Sequence, residues 1–142
     1  MLGALFVYGT LLPGQPRWRH LEPWCRPSVP RSASAPGTLF RTPYSWPAAV
    51  FDPASTSRVP GVIVQLTTAT LEAALECLDV LEGVSDDLFD RTAVTLHDGT
   101  VSWAYAWPHS TDGFERIAAW FHPRTLQDHR RATSDPSAGM VE

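Results

Sequence analysis

Lysine and asparagine are absent from this 142-residue chain, and isoleucine occurs only at Ile63 and Ile117. All 11 basic side chains are therefore arginine. Lys, Asn and Ile have AT-rich codons, so their scarcity points to a GC-rich genome rather than a functional device, and a bacterial source is expected. Charge is also sparse: 18% of residues are charged and 44% hydrophobic, a balance that argues against disorder. The net charge is -4 and the pI near 5.7, with only Arg130 and Arg131 adjacent among the arginines. Non-specific nucleic-acid binding needs a cationic field and is not expected. The two cysteines, Cys25 and Cys77, allow at most one disulfide, lie in no Cys-x-x-Cys pair and read as reduced thiols.

Long apolar runs are missing as well, since no stretch approaches the roughly 20 residues of a membrane span. The apolar start, Met1 to Val7, lacks a basic flank and leads at once into Tyr8-Gly9-Thr10, so it is a poor signal peptide. A soluble cytoplasmic protein is expected. No Walker loop, Gly-x-Gly-x-x-Gly or Gly-x-Ser-x-Gly elbow is present. His20, His97, His109, His122 and His129 show no metal-ligand spacing, and Pro123 interrupts the pair 122/129.

The length suits one domain, read as residues 1–129, with a polar, aperiodic tail over 130–142 expected to be flexible. Ala4 to Tyr8 reads as a buried strand ending at Gly9. Six prolines in 13–36 predict extended loop and edge. Short strands are expected at 37–41, 47–51 and 60–66, with Val62, Val64 and Leu66 on one face. Two more are expected near 89–96 and 101–107, joined by a hairpin at Asp98-Gly99. Trp103, Tyr105 and Trp107 would share a sheet face. The clearest helix spans about 70–82, capped by Thr70 and stopped by Gly83 in the left-handed conformation. Asp112 and Glu115 resemble a capping box opening a short helix whose face is Phe114, Ile117, Ala118 and Phe121. The class is α+β: a strongly bent sheet or small barrel of about six strands, with one long and one short C-terminal helix.

On a helical wheel, Leu71, Ala74, Leu75, Leu78 and Leu81 fall within an arc of roughly 120°. Glu72, Glu76 and Asp79 lie beyond its edge and read as solvated. Glu82, four residues after Leu78, falls near the middle of the stripe. Desolvation and the helix C-terminal carbonyls would both raise its pKa, which suits a general acid/base. Alternatively, Glu82 frays into solvent or pairs with an arginine such as Arg91. A second candidate is Tyr8-Gly9-Thr10-Leu11, followed by Gly14, because a strand that breaks at glycine exposes successive N–H groups able to hold a carboxylate or oxyanion. An ordinary strand-to-loop turn is the other reading. Trp18, Trp24 and Trp46 could line a substrate mouth or simply anchor loops.

Together these features resemble the γ-glutamylcyclotransferase-like family. Its Tyr-Gly-Ser/Thr-Leu loop is matched by Tyr8-Gly9-Thr10-Leu11, and its helix-terminal Glu-Gly by Leu78-Asp79-Val80-Leu81-Glu82-Gly83. Pro36-Gly37-Thr38-Leu39-Phe40, Trp46-Pro47-Ala48 and Val59-Pro60-Gly61-Val62 supply the intervening pattern, so the likeness covers about residues 4–122. The resemblance implies a small barrel in which loop and glutamate face each other across a cavity. It also implies cyclisation of a small-molecule γ-glutamyl substrate to 5-oxoproline with release of an amine. Glu82 would be the acid/base, the loop would bind substrate, and no metal or organic cofactor would be required. Many members carry a Tyr-x-Arg seven residues beyond the glutamate; here Phe89-Asp90-Arg91 keeps a ring for the pocket without the hydroxyl, and Arg91 reads as a structural salt-bridge former. The competing readings are a non-catalytic small-ligand barrel and removal of a γ-glutamyl protecting group in biosynthesis.

Overall fold

The computed structural model describes residues 2–25 and 28–120. β1 (Ala4–Val7) is buried along its whole length, because it runs through the centre of the sheet and is covered on both faces. Its alternation divides the core in two. Phe6 and Tyr8 pack with Leu39, Val59, Ile63 and Ala104 inside the curl of the sheet, whereas Leu5 and Val7 join a second core with Leu21, Leu71, Leu75 and Leu78.

The other strands are β2 (Arg31–Arg41), β3 (Pro47–Phe51), β4 (Arg58–Gln65), β5 (Asp90–Thr95) and β6 (Val101–Ala106). Their order is β3-β2-β4-β1-β6-β5; β1 runs antiparallel to β4 and parallel to β6. β2 serves two neighbours in turn, pairing with β4 over Arg31–Pro36 and with β3 over Gly37–Arg41. Just past β6, Trp107 N donates to Ala49 O of β3 at 2.9 Å and draws the ends of the sheet together. The result is an α+β fold built on a nearly closed, six-stranded barrel-like sheet, as expected. Val62, Val64 and Leu66 share the helix-side core, as do Trp103, Tyr105 and Trp107.

The long helix, α2 (Leu71–Leu81), buries Leu71, Ala74, Leu75 and Leu78. It ends at Gly83, whose φ of 69° is the left-handed value expected there. Thr70 sits at its N-cap position, but the hydroxyl donates to Thr67 O at 3.4 Å rather than capping the helix.

Two expectations are corrected. The proline-rich segment contains α1 (Trp18–Cys25), with Pro23 inside it, and β2 begins well before residue 37. Pro23 removes one helical hydrogen bond, but Leu21 and Cys25, four residues apart, are both buried and hold the helix to the core. The short helix proposed from Asp112 is replaced in the described residues by β7 (Glu115–Ile117), antiparallel to Leu39–Arg41 of β2. Gly113, at φ 81°, turns the chain out of a helical path just where the capping box would have opened one. Phe121, the His122/His129 pair and the 130–142 tail lie outside the described residues. Among the described residues, no helix is long and apolar enough to cross a membrane.

Candidate active site

β1 delivers Tyr8 to the mouth of the barrel, and the chain then leaves the sheet at Gly9. Gly9 is needed there because a Cβ would lie 2.7 Å from Pro47 Cγ. The segment folds back through Leu12 N to Gly9 O at 3.0 Å, and Arg17 N to Thr10 O at 2.8 Å. These turn bonds do not use the N–H groups of Gly9, Thr10 or Leu11.

The sequence candidates meet in one small cleft, with about 330 Å³ of free space counted to its open mouth. Tyr8, Gly9, Thr10 and Leu11 form one side, and Glu82, Phe89, Tyr105 and Trp46 lie around it. Glu82 does not fray, being 6% exposed, but it does pair with an arginine, as the alternative reading allowed: the partner is Arg17, whose Nη1 lies 3.3 Å from Glu82 Oε2, and not Arg91. Burial raises its pKa from 4.5 to about 7, and the neighbouring Arg17 cation holds it below where burial alone would put it. A carboxyl group titrating there can both accept and return a proton near neutral pH.

Phe89 is wedged between Trp46 and Trp107, with ring centroids 6.4 and 5.5 Å away, and walls the cleft without offering a hydroxyl. Trp18 and Trp24 pack against the helix-side core instead and do not line the cleft. The hydroxyl of Tyr8 donates to Tyr105 O. Burial, then the charge of Glu82, keeps the Tyr8 phenol protonated far above its ordinary range.

Several residues of this site escaped the sequence reading. Asp79, expected to be solvated with Glu72 and Glu76, instead accepts from Tyr105 OH at 2.8 Å and from Arg91 Nε and Nη2 at 2.8 and 3.2 Å. Arg91 also stacks 4.4 Å over the Trp103 ring, so its structural role stands, with Asp79 as the partner. The period-two pattern put Tyr105 on one face with Trp103 and Trp107 without saying which, and Arg17 left no local signal. The indole Nε1 of Trp46 is buried and has no acceptor among the described residues. Among those residues, no group of three or more His, Cys, Asp or Glu is placed to hold a metal ion.

A nearly closed α+β barrel with a buried carboxylate facing a glycine loop at its mouth is the class of protein that emerges. The chain belongs to the gamma-glutamyl cyclotransferase, AIG2-like family, whose model matches residues 5–122. Among solved structures, an AIG2-like protein from Mus musculus superposes with a TM-score of 0.69 at 18% identity, covering 87% of this chain and 92% of that one. A uropathogenic E. coli-specific protein gives 0.61 at 18% identity, over 95% of this chain and 98% of that one. An Arabidopsis thaliana protein also gives 0.61 at 18% identity, over 100% and 83%. At such identity the likeness concerns the fold. No curated protein sequence matches the chain.

Proposed function

We propose that the protein is a γ-glutamyl cyclotransferase acting on a γ-glutamyl amine, amide or small peptide, with Glu82 as its general acid/base. The observation carrying this reading is the buried carboxylate of Glu82, titrating at about 7 in a cleft shared with the Tyr8–Leu11 loop. Glu82 takes a proton from the substrate α-ammonium, and the freed amine attacks the γ-carbonyl carbon. A ring C–N bond forms, the ring nitrogen gives up its second proton to solvent, the original γ-amide C–N bond breaks, and Glu82 passes the first proton to the departing amine. The products are 5-oxoproline and that amine. Attack within one molecule removes most of the entropic cost of bringing the reactants together.

N–H groups at Gly9, Thr10 and Leu11 are suited to hold the substrate carboxylate or the tetrahedral oxyanion. Tyr8 and Phe89 wall the site, and Trp46 offers an unspent donor. No cofactor enters this scheme.

The test is to incubate purified protein with a broad panel of γ-glutamyl compounds and measure 5-oxoproline. Release from at least one is expected, and silence across the panel would leave a binding barrel without chemistry. Glu82→Gln should keep the fold and ligand binding while lowering kcat by about 10²- to 10⁴-fold, the usual contribution of a general acid/base. A near-native rate in that variant removes Glu82 from the mechanism.

A further inference from the structure

We propose that Arg17 is a positioning residue that fixes the Glu82 carboxylate against the Tyr8–Leu11 loop. Its catalytic consequence rests on the cyclotransferase reading; the contact itself does not. Arg17 reaches both halves of the cleft at once. Its backbone N donates to Thr10 O at 2.8 Å, within the loop, and its Nη1 donates to Leu81 O at 3.2 Å and to Glu82 Oε2 at 3.3 Å. One residue between the glycine turn and α1 thereby joins that turn to the end of α2, across 65 positions of sequence. Arg17 does not line the cleft, so it acts through Glu82 and not on a substrate.

The groups facing Glu82 leave Arg17 a distinct part. Tyr8 approaches from β1 and Tyr105 from β6, and both phenols stay protonated, Tyr8 chiefly through burial and Tyr105 chiefly through burial and its bond to Asp79. Asp79, one turn earlier on α2, is committed to Arg91 of β5 and to Tyr105. Among the described residues, Arg17 is the cation in contact with Glu82. The Arg17 side chain is 31% exposed, whereas that of Glu82 is 8% exposed. The cation is therefore only partly desolvated while favouring the ionised carboxylate. A nearby positive charge favours the base form that the first proton transfer needs.

The test reads Glu82 directly. Glutamate side chains are labelled with ¹³C, the Glu82 signal is assigned by its loss in Glu82→Gln, and its titration is followed without substrate. In Arg17→Gln the midpoint should rise by about one pH unit, as expected when an opposite charge is removed at this range. The acidic limb of kcat/KM should move with it. Arg17→Lys should restore both towards native values. If Arg17→Gln lowers the melting temperature but leaves the Glu82 midpoint unchanged, Arg17 merely caps α2 and the proposal is overturned. A Lys variant that titrates like the Gln variant also counts against it. Absence of 5-oxoproline from every substrate would instead defeat the cyclotransferase reading, leaving the titration to decide the contact.

Discussion

Trp46 lines the cleft, and its indole N–H is buried and meets no acceptor among the described residues. Such a donor costs stability until something accepts from it. Trp46→Phe removes the donor while keeping a ring to pack against Phe89. If a substrate carbonyl or carboxylate accepts this bond, the variant should raise KM by about 2- to 10-fold, equivalent to one ordinary hydrogen bond. Its thermal stability should change little, because the lost indole volume is offset by removal of an unsatisfied group. Steady-state kinetics and a melting curve read the two effects separately; an unchanged KM would place the N–H outside substrate contact. At this scale, Glu82 was legible because its helical phase contradicted its polarity. Arg17 was not, since nothing near residue 17 reveals a partner at residue 82.

The end of α2 places the carboxylate, and Gly83 sets that end. Its φ of 69° suits glycine, and an added Cβ would lie 3.0 Å from Leu88 Cβ. Gly83→Ala should therefore cost about 1–2 kcal/mol from the left-handed backbone alone. It should also reduce turnover beyond what the lost stability explains, because Glu82 is the residue immediately before the strained one. Comparing kcat well below the melting temperature with the unfolding free energy checks this; proportionate loss of both would mean that α2 relaxes without moving Glu82. Elements whose local signals agreed with their tertiary setting were readable: β1, α2, and the β5–β6 hairpin, where Thr100 N bonds Asp98 Oδ1 at 2.9 Å. α1 and β7 were misread because distant partners overruled local rules. A buried Leu21/Cys25 stripe outweighed Pro23, and a free stretch of β2 edge captured the segment after Gly113.

Across the whole molecule, burying Glu82 costs stability once its carboxyl must ionise, and pH exposes that cost. Its folded pKa, about 7, lies above the 4.5 of an ordinary glutamate, so between these values the folded chain binds more protons than the unfolded one. Stability contributed by this group is thus fully present below about pH 4.5 and is lost as pH rises to about 7, where the penalty levels off. The full difference is on the order of 3 kcal/mol, since each pKa unit corresponds to about 1.4 kcal/mol. Glu82→Gln removes the titration, so relative to the native chain it should be clearly more stable at pH 8 and gain little at pH 4. Loss of the Arg17 contact will trim that gain without reversing its pH dependence. Activity should run the opposite way, with kcat/KM rising through about pH 7 as Glu82 deprotonates. Denaturant melts of both proteins at pH 4, 6 and 8 decide the matter. A stability difference that is flat across those pH values would mean that Glu82 is solvated in solution, and with it the basis for its role as the acid/base would go.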